Sequence, residues 1–155
     1  MRKIKGFENY LIDENGNVYS QRSEKFIKPF FNSNGYLIVK LFKDGKRFYF
    51  FVHKLVALTY LEDSFEEGLE VNHKDANRQN NNVDNLEWIT HAENVRLALN
   101  APITVEYPDG TVVTYSSRKD FAKKLCGEHS SMCSNLNRYF KSKVIPKFGI
   151  KILEL

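Results

Sequence analysis

The sequence predicts an α+β fold with short antiparallel strands first, a strand, loop, strand and helix in the middle, and a β-hairpin with two helices last. Three observations support this order: Asn-Gly and Asp-Gly turns between apolar runs, helical spacing of apolar residues in only a few places, and an Asn-rich polar stretch between two short apolar segments. They divide the chain into three modules, over residues 1–51, 52–100 and 101–155. With 42 % hydrophobic residues, the chain can bury a core.

The first module, residues 1–51, is predicted to form a small antiparallel sheet. An Asn15-Gly16 turn separates two short apolar segments, and an Asp44-Gly45 turn separates two longer ones. Both dipeptides favour tight hairpin turns because their residues tolerate positive φ. The module is rich in aromatic residues, which we expect more often in the core than on a base-stacking surface.

The middle module begins and ends with a helix and holds two strands between them. Its elements in order are a short helix from Val52, a strand ending at His73, a polar loop over residues 74–84, a strand over residues 86–89 and a helix from His91. The first helix follows from apolar residues at i, i+3 and i+4. The second follows from Thr90 and Glu93, which match a capping box.

The third module is predicted to be a β-hairpin followed by a helix-turn-helix. Its elements are two strands around Asp109-Gly110, a helix capped by Ser116 or Ser117 and ended by Gly127, a second helix over residues 130–141 and a closing strand over residues 149–153. Two short helices joined by a Gly-containing turn are the outline of a helix-turn-helix, a motif that places its second helix in a DNA groove.

Charge is unevenly distributed along the chain. Residues 1–50 hold ten Lys and Arg against five Asp and Glu, residues 51–100 hold four against nine, and residues 101–155 hold nine against five. The net charges are therefore +5, −5 and +4. Basic flanks suit a polyanion, because phosphate contacts release counterions, although an ordinary solvated surface accounts for the charge equally well.

Several classes of protein are disfavoured. No apolar run approaches the ~20 residues that span a bilayer, and the polar start of the chain lacks the apolar core of a secretory signal. The cysteines Cys126 and Cys133 are too few for a disulfide framework and have no CxxC partner for zinc. We therefore expect an intracellular protein with no membrane partner.

A specific motif lies in the middle module, where residues 72–94 read NHKDANRQNNNVDNLEWITHAEN. This segment resembles the core of the HNH nucleases, and within them the phage- and intron-encoded homing endonucleases, whose core typically reads NHKDxNxxNNxxxNLEWxTxxEN. The resemblance extends upstream to residues 52–57 and more loosely to both flanks. It implies that residues 52–100 form a ββα-metal nuclease core between two DNA-binding modules, residues 1–51 and 101–155.

The resemblance also implies roles for four residues. His73 is the general base, since imidazole titrates near neutrality, and Asn85 holds the loop so that the imidazole is oriented. Asn72 and Asn94 are the ligands of one Mg²⁺ or Mn²⁺ ion, which takes oxygen ligands and stabilises charge on the scissile phosphate. Some relatives carry Asp at the position of Asn72, so the amide predicts a weaker site that DNA phosphates complete.

The implied partner is double-stranded DNA, with no small-molecule cofactor. Predicted DNA-contacting residues lie in the core loop and on the last predicted helix: Lys74, Arg78, Ser134, Asn135, Asn137, Arg138 and Lys141. A single ββα site cuts one strand per visit, so we expect a monomer that nicks DNA. A phage-encoded enzyme of this kind would act in the cytoplasm of its bacterial host.

Other interpretations of the same residues stay open. His53 is expected to be a packed histidine rather than a ligand, and Asn80, Asn81 and Asn82 are expected to be turn formers. Asp75 is expected to form hydrogen bonds within the loop. Two other functions fit the sequence: a sequence-specific DNA-binding protein with a degenerate nuclease core, and an RNA-binding or structural protein that uses the basic sheet.

Overall fold

The computed structural model describes residues 1–128, residue 140 and residues 142–154. The chain forms two compact units, Met1–His91 and Ala92–Leu155. Both units combine antiparallel strands with helices, which confirms the predicted α+β class. No helix in the described part of the chain is long and apolar enough to cross a membrane.

The first unit, all of whose residues are described, contains helix α1 (Val52–Tyr60) and three antiparallel sheets. The first sheet has the order β1 (Arg2–Ile4), β2 (Phe7–Ile12), β3 (Val18–Ser20) and β4 (Lys25–Ile27). The second has the order β5 (Phe30–Phe31), β6 (Leu37–Lys43) and β7 (Lys46–Phe51), and the third pairs β8 (Glu70–His73) with β9 (Leu86–Ile89). Short 3₁₀ turns lie at Glu62–Ser64 and Val83–Asn85.

The predicted hairpin around Asn15-Gly16 is present as β2 and β3. Ile12 pairs with Val18 across the turn. The Asp13 carboxylate accepts hydrogen bonds from the backbone N–H groups of Asn15 and Asn17, at 3.0 and 2.8 Å. A side chain therefore satisfies the turn backbone where no strand partner is available.

The second predicted hairpin is present as β6 and β7. Lys43 pairs with Lys46, and the two residues between them have positive φ, 49° at Asp44 and 72° at Gly45. Positive φ at both central residues is the geometry of a type I′ turn, whose twist matches that of the flanking strands. The Asp-Gly signal in the sequence therefore identified both the place and the kind of turn.

The single sheet predicted for this module is divided into two. The division falls between β4 and β5, where Pro29 lacks the N–H that would continue a ladder. After it, Phe30 pairs with Ile38 of β6 instead of with the first sheet. The prediction of one sheet is therefore corrected to two.

One hydrophobic core joins both of these sheets to α1. Residues of β2, β3 and β6 point into it, and α1 adds Val52, Leu55 and Val56 at the spacing expected from the sequence. The buried Leu86 of β9 belongs to the same cluster. Helix α1 thus links the N-terminal sheets to the strand pair β8–β9.

Many aromatic side chains of the first unit are exposed. The expectation that they lie mostly in the core is wrong for six of them: Phe26, Phe30, Phe31, Phe42, Phe48 and Tyr49. The pleat of β6 explains Phe42, because Val39 and Leu41 are buried and side chains alternate along a strand. Lys40 and Phe42 therefore share the opposite, exposed face.

The second unit pairs its described strands antiparallel in the order β11-β10-β13-β12. These are β10 (Ile103–Glu106), β11 (Val112–Tyr115), β12 (Val144–Ile145) and β13 (Ile150–Glu154). Helix α2 (His91–Asn100) starts at the predicted residue, and helix α3 (Arg118–Glu128) follows β11. The core contains Ile103, Val105, Phe121, Leu125, Phe140, Ile145, Ile150 and Ile152.

Helix α3 begins as predicted but ends later. The Ser117 hydroxyl accepts a hydrogen bond from the Asp120 N–H at 3.0 Å, which is the expected cap. The prediction that Gly127 ends the helix is wrong, since α3 continues to Glu128. Glycine costs about 1 kcal/mol within a helix but does not prevent one. The second predicted helix, residues 130–141, lies outside the described residues except for position 140, so the helix-turn-helix stays a prediction.

We expect Gly16→Ala to destabilise the first unit. Gly16 has φ +86°, and a Cβ there would lie 2.5 Å from Cγ1 of Val52 and 3.3 Å from Cβ of Asn81. Left-handed strain and overpacking together should lower the free energy of unfolding by about 2–5 kcal/mol. Urea unfolding of the full chain measures the loss.

Gly45→Ala is the matched control. Gly45 also has positive φ, +72°, but a Cβ there meets nothing within 4 Å. It should lose only the backbone contribution, about 1–2 kcal/mol. Equal losses for the two variants would contradict the close approach of the Gly16 turn to α1.

Candidate active site

The strand pair β8–β9 brings predicted site residues to one end. His73 is the last residue of β8, and the preceding Asn72 pairs with Glu87 of β9. The pairing continues one step further, where the Lys74 N–H donates to the Asn85 carbonyl at 2.8 Å. His73 and Asn85 therefore lie at the same end of the pair, on either side of the loop.

Asp75 is the centre of hydrogen bonding in that loop. Its carboxylate accepts from the side-chain amide of Asn80 at 2.7 Å, the backbone N–H of Asn77 at 2.8 Å and the side-chain amide of Asn85 at 2.9 Å. These bonds, the one from Asn80 above all, lower the pKa of Asp75. The expected role of Asp75 within the loop is confirmed.

Asn85 crosslinks the same loop. Its side-chain amide also donates to the Asn80 carbonyl at 2.8 Å, and its side-chain oxygen accepts from the Asp75 N–H at 3.1 Å. Every hydrogen bond described for this side chain joins it to the loop. Any effect of Asn85 on the imidazole of His73 therefore passes through the loop backbone.

His73 is buried, and its ring faces a second buried polar side chain. His73 is 7 % exposed, and Nε2 lies 3.3 Å from Oδ1 of Asn81, which is 3 % exposed. Burial lowers the pKa of His73, while the bond to Asn81 and the charge of Asp75 oppose the shift. The interpretation of Asn81 as a turn former misses this contact, because nothing in the sequence distinguishes it from Asn80 and Asn82.

Aromatic rings close another side of His73. The ring centre of His53, on α1, lies 5.1 Å away, and that of Tyr36 lies 6.1 Å away. Phe51 and Tyr36 in turn flank His53, at 5.4 and 5.0 Å. Burial, with a smaller effect of charge on His73 and Lys54, lowers the pKa of His53 to about 3. His53 is therefore a neutral, packed ring, as expected.

The two predicted metal ligands lie in different units, Asn72 in β8 and Asn94 in α2. The Asn72 amide nitrogen donates to a Glu87 carboxylate oxygen at 2.7 Å, so the carbonyl oxygen is the atom left to meet a cation. Such an oxygen suits a hard ion like Mg²⁺, and Asn72 fits the implied metal. In the described part of the chain, no three His, Cys, Asp or Glu side chains form a metal-binding group.

The predicted DNA contacts fall into two groups. Lys74 donates to the Asp84 carbonyl at 2.9 Å, and Arg78 donates to the Asn34 carbonyl at 2.9 Å, with its guanidinium 5.1 Å from the ring centre of Tyr36. Both residues belong to the loop, and protein contacts hold their side chains. The remaining predicted contacts lie outside the described residues: Ser134, Asn135, Asn137, Arg138 and Lys141.

Two parts of the chain match known protein families. Residues 51–96 match the HNH endonuclease family, and residues 2–42 match the NUMOD4 motif. The first match contains α1, β8, the loop and β9, and the second contains the four-stranded sheet. Both therefore fall almost wholly within the first unit.

Similar proteins include phage endonucleases. DNA endonuclease I-HmuI of Bacillus phage SP01 is 39 % identical over 143 residues, which cover 80 % of this chain and 82 % of that protein. H-N-H endonuclease F-TflII of Escherichia phage T5 is 38 % identical over 88 residues, 56 % of this chain and 46 % of that protein. A solved structure on DNA binding and cleavage by the HNH homing endonuclease I-HmuI matches with a TM-score of 0.60 and 31 % identity, over 99 % of this chain and 98 % of that chain. The chain therefore belongs to the HNH family of DNA endonucleases.

Proposed function

We propose that this endonuclease hydrolyses phosphodiester bonds at a preferred site in double-stranded DNA, uses one Mg²⁺ or Mn²⁺ ion, and nicks one strand per visit as a monomer. The observation that carries the proposal is the buried ring of His73, held at the end of β8 beside a loop closed by Asp75 and Asn85. The solved I-HmuI structure concerns DNA binding and cleavage, which supports DNA as the substrate.

His73 acts as the general base. The oxygen of a water molecule forms a bond to phosphorus as one of its protons passes to the imidazole. The bond from phosphorus to the 3′ oxygen breaks, and the leaving 3′ oxygen takes up a proton from solvent. A base must start unprotonated, and the lowered pKa of His73 keeps its ring neutral at neutral pH. Asn85 and Asp75 keep the loop closed beside the ring.

Asn72 supplies one oxygen to the metal ion, and the sequence resemblance alone adds Asn94. When bound there, such an ion would supply stabilisation of the charge on the scissile phosphate and on the leaving 3′ oxygen. A neutral amide oxygen attracts a cation less strongly than a carboxylate does. Phosphate oxygens of the DNA are therefore expected to complete the coordination.

The exposed face of the sheet β5–β7 is the proposed DNA-binding surface of the first module. Lys40 lies opposite Tyr49, and Phe42 lies opposite Arg47, with all four side chains exposed. The Lys40 ammonium lies 5.6 Å from the ring centre of Phe42. Cations interleaved with aromatic rings suit phosphates together with sugars or bases.

Two further regions are proposed to contact DNA. Lys74 and Arg78 lie in the loop that follows His73. In the third module, the predicted helix over residues 130–141 carries the polar residues assigned from the sequence alone. Base-edge contacts from such a helix would supply the site preference that phosphate contacts cannot.

We expect His73→Ala to abolish cleavage and to spare DNA binding. The base contributes to the chemical step only, typically ~10²–10⁴-fold, whereas contacts to the DNA backbone dominate affinity. Nicking of a supercoiled plasmid that carries the DNA flanking the gene measures cleavage, and a gel shift measures binding. Thermal unfolding checks that the variant is folded.

His91→Ala is the matched control, because His91 is exposed and pairs with Glu70 at 2.9 Å. It should nick at the wild-type rate. A folded His73→Ala protein that nicks as fast as the wild type would overturn the assignment of the base. Joint loss of binding and thermal stability would show instead that His73 only packs beneath the loop.

Metal removal should silence the enzyme, and Asn72→Ala should raise the Mg²⁺ concentration needed for half-maximal nicking. Changes outside the ligand shell already cost ~10–100-fold in metal affinity, so loss of a ligand should cost at least about tenfold. Asn17→Ala, in an exposed turn, is the control. Nicking in EDTA, or an unchanged Mg²⁺ requirement in Asn72→Ala, would contradict this assignment.

Replacing Lys40 and Arg47 together by Ala should weaken DNA binding and its salt dependence. Each phosphate contact contributes about 0.9 to the slope of log affinity against log salt, so the slope should fall by about 1.8. The charge-matched control replaces Lys5 and Lys151, which already pair with carboxylates. If both double variants lose the same slope, the exposed face of β5–β7 is not the binding surface.

A further inference from the structure

We infer that Asn81 is a positioning residue for His73: its side-chain oxygen holds the imidazole in the form protonated on Nε2, so that Nδ1 is the atom that accepts the proton from water. The inference rests on the proposed role of His73 as the base and adds which ring nitrogen acts and what selects it. Asn81 itself touches neither DNA nor the attacking water.

The orientation of the Asn81 amide fixes the proton on the ring. The Asn81 nitrogen donates to the Gln79 carbonyl at 3.1 Å, and the Asn81 oxygen lies 3.3 Å from Nε2 of His73. If the Asn81 amide were reversed, its oxygen would face the Gln79 carbonyl oxygen, and two acceptors cannot form a hydrogen bond. An amide oxygen only accepts, so Nε2 has to donate and must carry the hydrogen. A neutral imidazole has one N–H, which leaves the lone pair on Nδ1.

Burial makes this contact selective. Both side chains are buried, and an unsatisfied polar group costs far more there than at the surface. A Cβ added to Gly16 would lie only 3.3 Å from Cβ of Asn81. The turn between β2 and β3 therefore approaches Asn81 closely and limits its movement. With its partner fixed, the ring of His73 cannot turn over without leaving Nε2 unpaired.

The other described groups around the ring of His73 do not compete with water for Nδ1. His53 and Tyr36 present ring contacts, and the low pKa of His53 keeps it neutral. Asp75 and Arg78 act on His73 through charge. Among the described residues, no side chain forms a hydrogen bond with Nδ1 of His73.

Asn81 differs in kind from its two neighbours in the Asn triplet. The Asn80 amide donates to Asp75, and Asn82 caps the turn at Asp84 and donates to Asn15. These bonds of Asn80 and Asn82 lead away from the active-site histidine, whereas the Asn81 oxygen faces the ring of His73. Asn82→Ala is therefore the matched control, since it removes an asparagine of the same loop that does not face His73.

The test compares Asn81→Leu with Asn82→Ala in the full chain. Nitrogen-15 NMR at about pH 8, without metal or DNA, identifies which ring nitrogen of His73 carries the hydrogen. Single-turnover nicking of the plasmid carrying the flanking DNA gives the cleavage rate constant, and a gel shift gives the affinity. Thermal unfolding reports the folded fraction of each variant.

The wild type should show one protected N–H signal, on Nε2. Asn81→Leu should lose that protection and cut roughly 10- to 100-fold more slowly at unchanged affinity, which is less than the ~10²–10⁴-fold that a whole base contributes. Asn82→Ala should lose thermal stability but keep the Nε2 signal and the cleavage rate.

A wild-type signal on Nδ1 would overturn the inference whether or not any variant folds. So would a folded Asn81→Leu protein that cuts at the wild-type rate. The proposed base fails separately, if His73→Ala still cuts. Loss of cleavage in His73→Ala with no effect of Asn81→Leu would therefore reject the positioning role alone.

Discussion

The loop between β8 and β9 has to satisfy its backbone polar groups without a strand or a helix as partner, and the position of His73 depends on how it does so. Unpaired N–H and C=O groups destabilise a fold once they leave water. Here side chains replace the ladder: Asp75 accepts from backbone and amide donors, and Asn85 both donates to the loop and accepts from it. Because the loop begins directly after His73, losing the bonds of Asp75 or Asn85 is expected to displace the ring.

The N-terminal hairpin supports this loop from outside. The Asn82 amide donates to the side-chain oxygen of Asn15 at 2.7 Å, and the Val83 N–H donates to the Glu14 carbonyl at 2.8 Å. Asn15 and Glu14 belong to the turn between β2 and β3, whose strands share one core with α1 and β9. The segments that match the NUMOD4 motif and the HNH family therefore fold together, and the first module has a structural role besides its proposed contact with DNA.

Local signals in the sequence were enough to predict most elements, and long-range packing decided the rest. The Asp-Gly turn at Gly45 and the cap at Ser117 act within a few residues, so their positions were predicted correctly. Phe42 is exposed because Val39 and Leu41 of β6 point into the core, and only the tertiary packing determines which face of the strand does so. Gly127 continues a helix despite its low propensity. The contact of Asn81 with the ring joins two polar residues across a loop, and turn propensity carries no information about such a contact.

Side-chain amides bind the carboxylates near the end of β8. Residues 51–100 carry a net charge of −5, yet the carboxylates beside His73 are bound by amides: Glu87 accepts from Asn72, and Asp75 accepts within the loop. An Asp in place of Asn72 would face Glu87 across the strand pair, and like charges opposite each other destabilise a sheet unless a cation lies between them. The amide at position 72 therefore stabilises β8–β9 before any metal binds. In the proposed metal site, the same neutrality would weaken the attraction for the ion, so the DNA phosphates would have to complete its coordination.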